Sequence, residues 1–305
     1  MRHHDGGVLE ALRGTYADSV DDVRGPVAEA VFAGLRPRVD RLRDSGRVPG
    51  LATLLVGDDD SSARYVGMKH AKAAEMGCSS TQVNLPTDCT QQDVLDAVHR
   101  LNDDDAVDAI LFQYPPPPHI DVEAALMELD PDKDVDGLHP VNMGRLALSM
   151  PGPVPCSPAG IEALLAHYEI PVSGRHVCVL GRGATLGRPL ALLLSQKRPT
   201  ANAAVTVVHT GVPDWAEYTR AADVVVAAAG VPGILRPEHI TNETVVVGGG
   251  VRYQGRTLLP DVDVRCEMVA RAITPRVGGV GPTTIAMLFS NLVDVAVRRS
   301  HSVIR

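Results

Sequence analysis

Tyr65 and Lys69 stand four residues apart in a stretch with helical patterning. Positions i and i+4 share one helix face. A lysine set against an apolar wall loses hydration of its charged form, so its pKa can fall into the range useful for proton transfer near neutrality. The same spacing suits a surface lysine laying its stem over Tyr65, and spacing alone favours that plainer reading; Lys72 takes it too. Gln113 closes an apolar run at the end where parallel α/β sheets place ligand-binding groups. A helix cap or a loop hydrogen bond accounts for it equally well. Asp134 and Asp136 in Lys133-Asp134-Val135-Asp136-Gly137 alternate in facing, so at most one addresses a given pocket. His139, beside a proline, reads as a structural loop histidine.

A second group is glycine-rich. Gly181-x-Gly183-x-x-x-Gly187 follows an apolar run and precedes a helical pattern. In that context, glycines let backbone N–H groups approach a pyrophosphate at a helix N-terminus; without a ligand, the same residues make a tight turn. Sites for the unphosphorylated dinucleotide place Asp or Glu at the end of the next strand, to hold a ribose hydroxyl. Here Val207-Val208 runs into His209-Thr210, and Arg182 lies inside the turn. A cation without a competing acid suits a 2′-phosphate, so the expected cofactor is NADP.

The elements that must position these groups alternate. The spacing predicts a helix over 26–43, a strand over 51–56 and a helix to about Met76 that Ser61 or Ser62 could cap. A strand near 82–85, a helix over 90–101, a strand over 108–113 and a helix over 121–129 follow. Prolines at 140, 151, 153, 155 and 158 mark a boundary near residue 150. Beyond it come a helix over 159–167, a strand over 176–180, the glycine turn and a helix to about 196. Strands over 205–208, 224–228 and 245–247, a helix near 266–272 and a last helix over 283–297 complete the pattern. This predicts an α/β chain of two domains, each a mostly parallel sheet flanked by helices, the second a Rossmann-type dinucleotide-binding domain. Residues 1–25 read as a loosely ordered lead-in.

With 305 residues, 45% of them hydrophobic, the chain can bury two ordinary cores. A net charge of −8 disfavours nucleic acid and anionic membranes as general partners. Five scattered cysteines without a Cys-x-x-Cys pair argue against a disulfide framework or a zinc site. No signal peptide is evident, and no apolar run reaches the roughly 20 residues needed to cross a bilayer. The expected compartment is the cytoplasm.

Taken in order, Tyr65-Val66-Gly67-Met68-Lys69, Gln113-x-Pro115, Lys133-Asp134-Val135-Asp136-Gly137, Pro155-Cys156-Ser157-Pro158, Val179-Leu180-Gly181-Arg182 and Gly278-Gly279-Val280-Gly281-Pro282 resemble the bifunctional methylenetetrahydrofolate dehydrogenase/methenyltetrahydrofolate cyclohydrolase family. The resemblance covers roughly residues 26–300. It implies a folate bound between the domains, with Lys69 as the proton-transfer group for hydrolysis of the methenyl bridge. It implies that Gln113 tunes that lysine, Tyr65 packs on the folate ring system and Asp136 anchors the pterin edge. Gly278 and Gly279 would belong to the segment closing over the folate, and Cys156 takes a packing role. The implied cofactor contacts are Gly181, Arg182, Gly183, Gly187, Thr210 and Val251. Residues 1–150, completed by 282–305, would form the folate domain and 151–281 the NADP domain. The partners implied are one-carbon derivatives of tetrahydrofolate, with no metal, and a second copy of the chain in a homodimer formed through the second domain.

The chain departs from the family pattern in several places. Gly183 stands where the family has serine, which removes a hydrogen bond worth about 0.5–1.5 kcal/mol. Arg276-Val277 replaces a proline before the double glycine, and Gly248-Gly249-Gly250 replaces a segment with an aspartate. Thr283 stands for methionine and Tyr114 for leucine. Lys69, Gln113 and Asp136 are untouched. The altered cofactor loops motivate an alternative, a cyclohydrolase with weakened or lost dehydrogenase activity. A folate-binding or regulatory protein without turnover is a further alternative, and the intact lysine–glutamine pair argues against it.

Overall fold

The computed structural model describes residues 25–254, 257–276 and 278–302. The expected lead-in lies outside these residues, except for Gly25. The chain divides into two compact units. One takes Glu29–Cys156 and the stretch from Ile285 onward; the other takes the described residues up to Ala28 and Ser157–Thr284.

The first unit alternates helix and strand: α1 (Pro26–Asp44), β1 (Gly50–Val56), α2 (Asp60–Glu75), β2 (Ser79–Leu85), α3 (Gln91–Asp103), β3 (Ala109–Phe112), α4 (Val122–Glu128) and α5 (Pro140–Ala147). Its sheet has the order β2-β1-β3, with both pairings parallel. Every residue of β1 and β3 is buried, which is why these runs are continuously apolar and not alternating. The apolar face of α3, through Val94, Ala97, Val98 and Leu101, packs on the same core. Thr90 caps α3 in a reciprocal pair with Asp93.

In the second unit, α6 (Cys156–His167) leads into β4 (His176–Leu180), α7 (Gly187–Leu194), β5 (Ala204–Val208), α8 (Trp215–Arg220), β6 (Val224–Ala227), β7 (Val245–Gly248), the hairpin β8 (Val251–Gln254) and β9 (Thr257–Pro260), and β10 (Ala272–Ile273). The five-stranded sheet has the order β10-β7-β6-β4-β5 and is parallel throughout. β4 has β5 on one side and β6 on the other, which is the strand-order reversal where doubly wound sheets bind dinucleotides. The long helix α9 (Val280–Ser302) follows. The expected fold class, two α/β units with parallel sheets flanked by helices, is the one observed.

Several local expectations need correction. The cap of α2 is Asp59, whose carboxylate accepts the Ser62 N–H at 2.7 Å, and not Ser61 or Ser62. A charged acceptor also suits the helix dipole. The helix expected near 266–272 is a 3₁₀ turn at Val264–Met268 followed by β10, because pairing with β7 holds Ala272 and Ile273 extended. Helices α5 and α8 and the β8–β9 hairpin had no counterpart in the sequence reading. Val280–Ser300 is long and apolar enough to cross a membrane by length and composition, against expectation, and 67% of it is buried inside the protein. A helix packed nearly all round has that composition without a bilayer.

Lys133 is 2% exposed and closes the carboxyl end of α3. Its ammonium donates to the carbonyls of Leu101 at 3.0 Å, Asn102 at 2.5 Å and Asp104 at 2.8 Å. Helix ends leave such carbonyls without partners. Lys133→Met is therefore expected to cost about 1–3 kcal/mol of stability, read as a lower urea midpoint at unchanged slope.

Candidate active site

α2 presents Tyr65 and Lys69 on one face, and the surface reading of the lysine fails. Lys69 is 5% exposed, and its ammonium lies 4.7 Å from the centre of the Tyr65 ring. It donates to Gln113 Oε1 at 2.9 Å. Gln113 follows β3 and donates from its own amide nitrogen to the Tyr114 carbonyl at 2.7 Å, which holds Oε1 toward the lysine. Burial pulls the Lys69 pKa down from 10.5 to about 8, and the negative charge of Asp136 works against that fall. Lys72 is not the expected surface lysine either: it is buried, and pairs with Glu75 at 2.7 Å over the ring of Phe32.

The two aspartates of the 133–137 segment face different ways. Asp134 is 1% exposed and structural. Its carboxylate accepts from the Gly137 and His139 N–H groups and from Asn142 Nδ2. Asp136 is half-buried, and its charge bears on Lys69. Burial raises its carboxyl pKa, while Lys69 and a bond from the Cys156 thiol pull it back. Gly137 has φ +71°, and a Cβ there would sit 2.6 Å from Pro155 N. The 133–137 and 154–156 segments therefore lock together only around a glycine. His139 caps α5 through Nδ1, which accepts the Val141 N–H at 3.0 Å.

Sequence reasoning missed Asn291. Its Nδ2 donates to the Val135 and Val154 carbonyls, each at 2.8 Å, and its Oδ1 accepts the Val154 N–H. It clamps both segments around Asp136. The signal was a buried amide inside the apolar run Leu288–Val293.

The glycine turn in the second unit has the geometry a pyrophosphate requires. Gly181 has φ +129°, and a Cβ there would sit 2.1 Å from the Ala228 carbonyl oxygen. A Cβ on Gly187 would sit 2.3 Å from Gly181 O. Side chains at either place would fill the cradle through which backbone amides approach a phosphate. No side chain caps the start of α7 at Leu186; in its first turn the Arg188 N–H donates to the Gly183 carbonyl at 3.1 Å, Pro189 carries no N–H, and the Leu190 N–H donates to the Leu186 carbonyl at 2.9 Å. Gly183 faces open space; sterics do not demand glycine there. Arg182 and Thr210 are exposed beside the carboxyl ends of β4 and β5, and no carboxylate follows β5. Val251 opens β8, 43% exposed. Gly278, at φ +82°, and Gly279 precede α9 in this unit, whereas Lys69, Gln113 and Asp136 belong to the other. Val277 lies outside the described residues.

Residues 25–136 match the family model described as "Tetrahydrofolate dehydrogenase/cyclohydrolase, catalytic domain", and residues 155–300 match its "NAD(P)-binding domain". A Salinispora tropica protein named Bifunctional protein FolD 1 is 62% identical over 278 residues, which make up 91% of this chain and 90% of that protein. The chain belongs to the tetrahydrofolate dehydrogenase/cyclohydrolase family. The bifunctional enzyme FolD of Campylobacter jejuni superposes with a TM-score of 0.84 at 36% identity, covering 90% of this chain and 96% of that one. The Trypanosoma brucei methylenetetrahydrofolate dehydrogenase-cyclohydrolase, solved with NADP and an inhibitor, gives 0.83 at 38% identity, covering 94% and 99%.

Within this family frame, the triple glycine has a physical account. A Cβ on Gly249 would sit 2.8 Å from Leu186 Cδ2, and one on Gly250 would sit 1.9 Å from Asp261 Oδ2. Gly248 would meet only ordinary contacts. A side chain at two of the three would therefore have to displace Leu186 or the Asp261 carboxylate.

The lowered Lys69 pKa has a readable consequence. Acylation of Lys69, followed by mass spectrometry, is expected to rise with pH through an inflection near 8. In Asp136→Asn the inflection moves lower, because the charge that raises the pKa is gone. Between about 8 and 10.5 the unfolded chain holds more protons on this group, so the Lys69 contribution to stability rises with pH across that window. An inflection near 10.5 in the folded protein would contradict the burial account.

Proposed function

We propose that the chain oxidises 5,10-methylenetetrahydrofolate to the 5,10-methenyl form with NADP and hydrolyses that product to 10-formyltetrahydrofolate. The observation that carries the proposal is the buried Lys69–Gln113 pair, with a lysine pKa of about 8. Bound NADP supplies the hydride acceptor, and the Gly181–Gly187 turn, with Arg182, Gly183, Thr210 and Val251 beside it, would hold it. Loss of hydride leaves a cationic methenyl bridge. Water adds to that carbon and must shed a proton. Neutral Lys69, with one N–H tied to Gln113, offers its lone pair to take it. The proton passes to the ring nitrogen as its bond to the carbon breaks, and the hydroxyl of the adduct releases its own proton to solvent as its C–O bond becomes the formyl carbonyl, so one proton is released overall. Tyr65 would pack on the folate ring system. Asp136 would accept the pterin's donors as a charge-assisted partner, and the Gly278–Gly279 loop would cover the folate. The alternative, a cyclohydrolase without a working dehydrogenase, is not favoured: Gly181, Gly187, Gly249 and Gly250 keep the turn and its support close-packed.

We further propose that the chain works in the cytoplasm as a homodimer, with no nucleic acid or membrane partner. The five cysteines are all free and buried, which suits a reducing compartment. The net charge of −8 disfavours polyanions. The outer strand β5 carries half-buried Val205 and Val207, an apolar edge that a second copy could cover.

Purified protein mixed with methylenetetrahydrofolate and NADP is expected to reduce NADP with little methenyl species accumulating, both followed by absorbance. Lys69→Met is expected to slow hydrolysis by roughly 10²–10⁴-fold, so that methenyl accumulates. Hydrolysis at the wild-type rate in that variant would remove the lysine from its role. Equal efficiency with NAD, undiminished in Arg182→Ala, would remove the 2′-phosphate assignment. Light scattering at micromolar concentration is expected to report twice the chain mass; the monomer mass would discard the dimer.

A further inference from the structure

Asp261 is fully buried beside the β8–β9 hairpin, at 0% exposure. Its Oδ2 accepts the Ala229 N–H at 2.6 Å and the Gly230 N–H at 2.8 Å. Among the described residues its buried Oδ1 has no hydrogen-bond partner. Burial raises its carboxyl pKa, and the amides of Gly230, Ala229 and Val231 pull it back down. Several backbone amides of one loop thus converge on a single buried carboxylate.

Those amides belong to the loop that leaves the cofactor-side end of the sheet. Residues 228–235 leave the carboxyl end of β6, and the Ala228 carbonyl oxygen lies where a Cβ on Gly181 would be. The loop therefore starts against the pyrophosphate turn. Gly230 and Gly233 take left-handed conformations, at φ +66° and +64°, and the loop exposes Val231. Its far end is tied by main chain to the end of β9 and the residue after it: Gly233 N–H to Pro260 O, and Leu235 N–H to Asp261 O, each at 3.0 Å. At the near end the tie is the Asp261 side chain, by the bonds described. Gly250 makes room for it, and the Asp261 N–H donates to the Gly250 carbonyl at 3.0 Å.

In a doubly wound sheet, the strand after the glycine turn, here β5, reads the adenosine ribose. The rest of the dinucleotide crosses the reversal point toward β6. We infer that Asp261 is a positioning residue for the nicotinamide end of the cofactor: its carboxylate gathers the amides of residues 229 and 230 and presets the loop on which that end rests. The inference rests on the proposed NADP site. It assigns a role to a residue outside the glycine motif, 74 positions beyond Gly187.

Calorimetric titration of NADP, together with hydrogen exchange of segment 228–233, tests it. Asp261→Ala is expected to weaken NADP binding roughly tenfold and to speed exchange of that segment, because an unset loop must be ordered on binding. Asp261→Asn, whose carboxamide oxygen can take the place of Oδ2, is expected to stay within about threefold of wild type. Should the alanine variant not fold, Gly250→Ala displaces the same carboxylate without removing it and is expected to give the same loss. In the wild type, the Ala229 and Gly230 amides are expected to be protected before any cofactor is added. Wild-type binding in a folded Asp261→Ala or Gly250→Ala variant, or unprotected amides in the wild type, would overturn the inference. Failure of the wild type itself to bind NADP would instead overturn the cofactor reading.

Discussion

The first unit is organised around an ammonium group taken out of water. Lys69 is 5% exposed, and burial brings its pKa from 10.5 to about 8. A shift of that size corresponds to about 3 kcal/mol of disfavour for the charged form. The surroundings give the ammonium only limited compensation: one glutamine oxygen, one aromatic face and one nearby carboxylate. Full pairing would have returned the lysine to permanent charge. Complete isolation would have left it permanently neutral. A group poised between those limits can take up and release a proton within the ordinary working range of pH.

Holding that balance takes rigid supports. Gln113 presents its oxygen to the lysine because its nitrogen is tied to Tyr114 O. Asp136 stays near the lysine because its neighbours are spoken for. Lys133 is bound to the end of α3, Asp134 collects two amides and Asn142, and Asn291 clamps Val135 and Val154. These buried polar groups are satisfied by backbone partners, which fixes the loop at low cost. Lys133, Asp134 and Asn291 act through the loop that carries Asp136, while Gln113 bonds Lys69 directly.

The second unit solves a different problem, the close approach of backbone to backbone. At Gly181, Gly187, Gly249 and Gly250 a Cβ would fall within 3 Å of another atom. At Gly181 and Gly187 the neighbour is backbone, whereas at Gly249 and Gly250 it is the side chain of Leu186 or Asp261. Gly183 and Gly248 lack that constraint. Glycine identity alone therefore does not mark a position as structural; what a Cβ would meet decides it.

Local features were legible in the sequence by itself. The alternation of helices with buried apolar strands, the strand–glycine–helix order at residue 181, the Thr90 start of α3 and the shared face of Tyr65 and Lys69 depend on neighbours within a turn or two. Ordered motifs along the chain were specific enough to point to the family. Only the tertiary structure decided the rest. Spacing alone left Lys69 as a surface residue, because its burial depends on β3 and the 133–137 segment. β10 reads as helix until β7 pairs with it. Asp261 is silent in the sequence, since its partners lie 31 and 32 residues away. A hydrophobic period records which face is buried, but it carries no record of which distant amide or carbonyl a buried polar group will meet.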